Sequence, residues 1–222
     1  MDRTNINKLK AGANHYMAYV GPPQKYELIG EMQKNLLLNV GLLPEHKLLD
    51  IGCGSLRAGL HFIPYLNPSC YFGIEPNSWL VEEGLKQNVS DKNIKAKKPT
   101  FIYNDKFELS LFNQKFDYII AQSIFSHASS QQIIKCISEV KNTIQDGGVF
   151  LATFVLGKTN YKGKEWVYPG CVNYTNDYIE SMVKKCNMKC VQLKYNQKNG
   201  QTWYAIYNEL DESIINDKLS KI

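Results

Sequence analysis

The stretch "LLDIGCGSLRAG", Leu48 to Gly59, sets a hydrophobic run against a glycine turn and then a segment with helical character. Lys47 to Ile51 read as a strand. In a parallel α/β sheet a turn of this kind lies at the carboxyl edge. There Gly52 and Gly54 let backbone N–H groups approach a ligand, and the following helix presents its positive end. The question is whether the rest of the chain builds such a sheet, and which ligand the turn would meet.

Elements alternate on either side of the turn. Pro22 and Pro23 suit a helix start, Ile29, Met32, Leu36 and Val40 share one helical face, and Gly41 sits where that helix would end. After the turn, Leu56, Leu60 and Ile63 form the apolar face of a short helix stopped near Pro64. "CYFGI" is a second strand ending at Glu75, and "PNSWLVEEG" opens a helix capped by Asn77 or Ser78. "TFIY" is a weak strand, whereas "FDYIIA" (116–121) is the continuous apolar run of a strand covered on both faces.

Ser129 and Gln132 form a capping-box pattern ahead of a stripe of Ile133, Ile137, Val140 and Ile144, which is expected to stop at "DGG" before the strand "VFLATFV". Thr175 caps a helix carrying Ile179, Met182, Val183 and Cys186. "KCVQLKY" and "QTWYAIY", joined by the polar "NQKNG", read as an antiparallel hairpin. The expected fold is a mostly parallel α/β sheet closed by that hairpin, with helices on both faces.

Composition narrows the function classes. With 222 residues and 44% hydrophobic content the chain can bury a sizeable core, so one domain is expected over 1–222. "MDRTNINKLK" has no apolar leader-like core and the longest apolar run is too short to cross a bilayer, so the expected address is the cytoplasm, with no membrane span. Six cysteines without a C-x-x-C pair favour reduced thiols and no metal site. The net charge of +5 is spread along the chain, and its one cluster, "DKNIKAKKP", reads as a solvated basic loop too short for a nucleic-acid stripe.

The ligand is argued from the acids around the turn. Glu75, at the end of the second strand, is placed to accept hydrogen bonds from both hydroxyls of a ribose. Each charge-assisted bond is worth on the order of 1.5 to 3 kcal/mol, so the pair selects a ribose-bearing ligand. A dinucleotide and S-adenosyl-L-methionine both carry one. The dinucleotide fingerprint G-x-G-x-x-G fails here, since Arg57 follows Gly52 and Gly54, and no Tyr-x-x-x-Lys pair exists. Asp50, two residues before the first glycine, suits a ligand with a cationic amino-acid end.

"LLDIGCGS", the acidic end of "YFGIEP", "FDYIIAQSIFSHA" and "IQDGGVFLATF", in this order and spacing, resemble the successive motifs of class I S-adenosylmethionine-dependent methyltransferases over roughly residues 46–155. That resemblance implies a Rossmann-like seven-stranded sheet whose last strand is reversed, in agreement with the hairpin. It implies a cofactor core over 46–155, with an N-terminal lid and helix over 1–45 and a C-terminal helix and hairpin over 175–210; the long segment between, 156–174, rich in Lys, Tyr and Trp, reads as an acceptor loop from its length and composition. It further implies that Asp50, Gly52 and Gly54, with Cys53 between them, meet the methionine moiety and Glu75 the ribose, and that Asp105 with Phe107, or the Gln122 and Ser123 segment, meet the adenine and nearby surfaces. Leu56 departs from the family, standing where many members have a third glycine.

Methyl transfer from a sulfonium needs orientation above all, and a base when the acceptor is a neutral hydroxyl. His127, just beyond the fourth strand, is the candidate base, or else a residue packing at the start of the next helix. His15 is the second catalytic candidate; Tyr16 and Tyr19 beside it supply a lid or an acceptor wall, or the segment is simply a packed arm. Trp166 and Tyr168, with Lys162 and Lys164, offer a surface for stacking on a sugar and pairing with a phosphate.

"AQSIF" stands where base N-methyltransferases carry Asn/Asp-Pro-Pro-aromatic, which argues against nucleic-acid bases, and no acid pair accompanies that strand to hold magnesium. A small hydroxyl-bearing acceptor remains; resemblance to compact chains bearing "DIGCGSLR" and "AQSIFSH" points to a nucleotide-linked sugar or a surface-glycan (capsule) precursor. The alternatives are a noncatalytic cofactor-binding partner of another methyltransferase and a nicotinamide-dependent oxidoreductase.

Overall fold

The computed structural model describes residues 3–195 and 199–222. A 3-10 turn with Pro23 in its first position leads into helix α1 (Tyr26–Asn39), which buries Tyr26, Ile29, Gln33, Leu36 and Leu37 and ends at Gly41, φ +91°. There follow β1 (Leu48–Ile51), α2 (Gly59–Tyr65), β2 (Tyr71–Ile74), α3 (Ser78–Asn88), α4 (Asp91–Lys97), β3 (Thr100–Ile102) and β4 (Phe116–Ala121). The second half adds α5 (Ser130–Thr143), β5 (Ile144–Phe154), α6 (Asn176–Lys185), β6 (Lys189–Gln192), β7 (Thr202–Tyr207) and α7 (Glu212–Leu219).

The seven strands form one sheet in the order β3-β2-β1-β4-β5-β7-β6. β1 pairs in parallel with β2 and β4, β2 with β3, and β4 with β5; β7 runs antiparallel to both β5 and β6. Because the chain winds outward from β1 in one direction and from β4 in the other, a crevice opens at the carboxyl ends of these neighbours.

Strand residues alternate between two cores, which is why the central strands read as unbroken apolar runs. Leu49, Phe116, Ile119, Phe150 and Tyr204 pack with Ile133 and Ile137 of α5 and with Ile179 and Met182 of α6. On the other face, Leu48, Tyr118, Ile120, Leu151 and Trp203 pack with Leu36 and Leu37 of α1, Phe62 of α2 and Ile215 of α7.

Several boundaries differ from the sequence reading for local reasons. The α5 stripe ends at Thr143; Ile144 is extended and pairs with Phe116, so β5 starts early and runs through "DGG", with Gly147 at φ +71°. Ile144 stays buried either way, and a buried position alone does not separate a last helical turn from a strand start. In α2 the buried side chains are Phe62 and Ile63, Leu60 is only half-buried, and Pro64 sits inside the last turn. The basic cluster read as a loop is a helix, α4, capped by Ser90, although it buries no residue. α7 went unforeseen. Part of the "NQKNG" turn lies outside the described residues. All six cysteines are free thiols, and among the described residues no helix is long and apolar enough to cross a membrane.

Candidate cofactor and acceptor site

The turn after β1 is fixed by conformations that favour glycine. Gly52 has φ +68°, and a Cβ there would stand 2.0 Å from Cδ1 of Ile124; Gly54 has φ +52°, with Cγ1 of Val20 2.7 Å from a Cβ. Leu56, in the third glycine's place, also adopts φ +62° and is fully buried, so the chain keeps the backbone shape and uses the side chain for the core. The turn is tied down from behind: the Tyr26 hydroxyl donates to the Ser55 carbonyl (2.7 Å), as does the Asn88 amide (3.0 Å).

Glu75 is nearly buried and already oriented. Oε2 accepts from the Gly54 N–H (3.1 Å), and Oε1 accepts from the backbone and side-chain nitrogens of Asn77 (3.0 and 2.9 Å). Burial raises its pKa, and these three donors oppose the rise. Asn77 therefore serves the carboxylate and makes no side-chain cap for α3. Asp50 lies behind the turn, its Oδ2 accepting from the Tyr71 hydroxyl (2.8 Å). Burial pushes its pKa up to about 6, against the pull of the Tyr71 donor and the Arg57 charge.

A cavity of about 570 Å³ opens at the crevice, within the range of roughly 300–1,000 Å³ usual for small-molecule sites. Gly52, Gly54, Glu75, Asp105, Phe107, Gln122, Ser123 and His127 all line it, and so do Tyr19, Trp166 and Tyr168. Asp50 and Cys53 do not; they face a recess of about 20 Å³ behind the glycines, together with Arg57 and Gln33. Asp105 and Phe107 reach the cavity because Asn104 Oδ1 accepts from the Lys106 and Glu108 amides (2.7 and 3.3 Å), folding the loop after β3 inward.

His127 is held by the loop that follows β5. Its Nδ1 lies 3.0 Å from the Val167 carbonyl and 2.6 Å from the Gly170 carbonyl, while the Val167 amide donates to the His127 carbonyl (2.8 Å). Both Nδ1 partners are acceptors, so Nδ1 carries the proton and Nε2 keeps the lone pair in the neutral ring. Burial lowers the His127 pKa, and the two carbonyls oppose the fall. The cap of α5 falls to Ser129, with its capping box intact, so His127 is not needed there.

Two segments roof the cavity. Tyr19, in a helical turn at Tyr16–Tyr19, sets its ring 5.5 Å from that of Tyr168 and 5.3 Å from that of Trp79, and the Tyr168 hydroxyl donates to the Tyr19 carbonyl. His15 and Tyr16 are not brought in: His15 Nδ1 caps the same turn by accepting from the Met17 amide (3.2 Å), and Tyr16 packs against Tyr26. Lys162 and Lys164 are exposed and do not line the cavity.

Other lining residues escaped the sequence reading. Arg57, which there only broke the dinucleotide fingerprint, is 8% exposed; it donates to the Val20 carbonyl (2.8 Å) and to Gln122 Oε1. Gln201 and Asn199 reach the cavity from the end of the hairpin turn. Their side chains look like ordinary turn polarity, and only the pairing of β7 with β5 brings them to the site. Among the described residues no cluster of His, Cys, Asp and Glu could hold a metal ion.

The family model described as "Methyltransferase domain" matches residues 49–150, the span from β1 to the middle of β5. Magnesium protoporphyrin IX methyltransferase from Synechocystis, solved with S-adenosylhomocysteine (SAH), is similar over 84% of this chain and 87% of its own, at TM-score 0.62 and 16% identity. The DhpI–SAH complex is similar over 93% and 95%, at TM-score 0.63 and 10% identity. The glycopeptide N-methyltransferase MtfA with SAH covers 81% and 89%, at TM-score 0.58 and 10% identity. At these identities the structures speak for the fold, and the family model for the sequence motifs within it. Together they show a methyltransferase-domain match over residues 49–150, set within the fold that these methyltransferases share.

Proposed function

We propose that the protein transfers a methyl group from S-adenosyl-L-methionine to an oxygen of a small polar acceptor, with a nucleotide-linked sugar or surface-glycan precursor as the preferred class. The observation that carries the choice of oxygen is the His127 tautomer. With Nδ1 bound to two carbonyls, Nε2 is left as a neutral base on the cavity wall, and a neutral hydroxyl, a weak nucleophile until its proton leaves, gains from such a base.

The residues present fit the cofactor. The Gly54 amide, at positive φ, and the oriented, nearly buried Glu75 carboxylate stand 3.1 Å apart at the strand ends, a pairing that suits an amino-acid tail and a ribose diol on one ligand. Asp105, Phe107 and Gln122 supply the rest of the cofactor wall, with Asp50 and Cys53 supporting the turn from behind; Ser123, expected near the adenine, is left to the acceptor side of the cavity. When bound, S-adenosylmethionine supplies a methyl group already activated by its positive sulfur.

The chain's own part is orientation, exclusion of water by the Tyr19–Tyr168 roof, and removal of one proton. His127 Nε2 accepts the proton of the acceptor hydroxyl as the oxygen–methyl bond forms, and Nδ1–H stays with its carbonyls. Orientation can lower the barrier by several kcal/mol, and the base adds a factor of about 10² to 10⁴.

Purified protein incubated with methyl-labelled S-adenosylmethionine and nucleotide-sugar pools is expected to label a sugar oxygen. Label appearing only in protein or RNA would reject the acceptor class. Tight binding of NADH without binding of SAH would reject the cofactor. A stoichiometric complex with a second methyltransferase and no turnover alone would point to a noncatalytic partner.

A further inference from the structure

Ser123 has an unusual hydrogen-bond balance. It stands two residues past the end of β4, at φ +60°, a conformation that costs a non-glycine residue energy and persists only where its surroundings impose it. The imposing contacts come from neighbouring strands. The Ser123 amide donates to Thr153 Oγ1 of β5 (2.8 Å), Thr153 Oγ1 donates to Gln201 Oε1 (2.6 Å), and Gln201 Nε2 donates to Ser123 Oγ (2.8 Å). A second amide, Gln122 Nε2, donates to the same Oγ (2.6 Å), while Gln122 Oε1 accepts from Arg57.

The donor directions are fixed by chemistry. Arg57 can only donate, so Gln122 turns its oxygen to Arg57 and its nitrogen to Ser123. Thr153 is fully buried, and its proton needs an acceptor; Gln201 Oε1 is the one in reach, so Gln201 also turns its nitrogen to Ser123. Ser123 Oγ thus accepts two hydrogen bonds, and both lone pairs are used. Its own O–H is left to donate, no acceptor for it stands among the described residues, and Ser123 lines the cavity. Each N–H upstream polarises the next group, which strengthens that last donor.

The side of the cavity matters as well. Among the described residues the charged groups that line it, Lys25, Arg57, Glu75 and Asp105, all precede β4 in the chain. From Gln122 onward the lining is amide, hydroxyl, aromatic, apolar or the Cys171 thiol, with His127 the one titratable nitrogen and burial favouring its neutral form. Glu75 and the glycines follow β2 and β1, whereas Ser123 is held by β5 and by the residue before β7, on the opposite side of the sheet order; Arg57 reaches Ser123 only through Gln122, with its guanidinium turned to the Gln122 oxygen and the Val20 carbonyl.

We propose that the Ser123 hydroxyl is a specificity-determining donor for the acceptor, and that the acceptor enters this end of the cavity as an uncharged, hydroxyl-bearing ring. This rests on the methyltransferase reading and narrows it: any phosphate of a nucleotide-linked sugar stays outside this end. Ser123 then fixes an oxygen of the ring while His127 Nε2 takes the proton of the hydroxyl being methylated.

The test uses the full chain saturated with SAH and two probe sets, methyl glycosides of common hexoses and the corresponding hexose 1-phosphates, with binding read by saturation-transfer NMR. A neutral glycoside is expected to bind at least as tightly as its phosphate. Ser123→Ala and Ser123→Gly, the second of which also relieves the backbone, are both expected to weaken it about fivefold or more, with SAH affinity within twofold of the parent. Preference for the phosphates, no binding of any hexose while SAH binds, or unchanged glycoside affinity in both variants would overturn the proposal. Failure of the parent protein to bind SAH would instead remove the methyltransferase reading itself.

Discussion

The two halves of the cavity are built in different ways. On the β1–β2 side the wall is mostly backbone: glycines at positive φ, a carboxylate held by amides two and twenty-one residues away, and a turn whose shape a single strand–turn–helix segment specifies. Beyond β4 the wall is side chains drawn from distant parts of the chain. His127 is held by Val167 and Gly170, Ser123 by Thr153 and Gln201, and Tyr168 by Tyr19. A ligand common to a superfamily needs the first kind of wall, which changes little once formed. An acceptor peculiar to one enzyme needs the second, which a few substitutions can re-tailor.

The backbone half should be the less forgiving. Gly52→Ala places a Cβ 2.0 Å from Ile124 and leaves a residue at φ +68°, so SAH binding measured by calorimetry is expected to disappear. Glu75→Ala removes the oriented carboxylate without adding bulk. Two charge-assisted bonds of about 1.5 to 3 kcal/mol each imply a loss of SAH affinity on the order of a thousandfold. Unchanged affinity in either variant would mean that the glycine turn is only a connection between strand and helix.

The side-chain half should show the opposite split. His127→Ala is expected to lower kcat by about 10² or more while SAH affinity stays near that of the parent, a pattern that separates a base from a packing residue. The pH profile sharpens the distinction. Burial holds the His127 pKa below the ordinary histidine value of 6.5, and the base works only when neutral, so the acid limb of kcat should fall below pH 6.5. A limb above that value would mean that the group limiting turnover is not this histidine in this environment.

The same division explains what the sequence made legible. The order of elements, the glycine turn, Glu75 and the capping box at Ser129 are local signals, carried by periodicity and by residues a few positions apart. Arg57, Thr153 and Gln201 were silent because their roles depend on strand pairing. Gln201 meets Ser123 across 78 positions, and nothing at either position advertises the other. His127 stood out as a residue type in a suggestive place, but its tautomer became readable only with the Val167 and Gly170 carbonyls in position. His15 shows the converse, a suggestive residue spent on capping its own turn.

Asp50 tests whether the recess behind the backbone half is structural. Its carboxyl has a pKa of about 6 in the fold against 3.8 as a free side chain, with burial the main cause. Between those values the unfolded chain ionises first, so the ligand-free protein should lose stability as pH rises from about 4 to about 6, and then level off. Asp50→Asn keeps an acceptor for the Tyr71 hydroxyl and abolishes the titration. Its thermal or urea unfolding should lack that pH dependence and exceed the parent's stability at pH 7 by on the order of 3 kcal/mol. If Asp50 instead serves an ammonium group on the bound cofactor, the variant gains stability without ligand and loses SAH affinity at the same time. If the recess is only packing, SAH affinity stays where it was, so unfolding and titration on the same variant separate the two roles of the first acid in the motif.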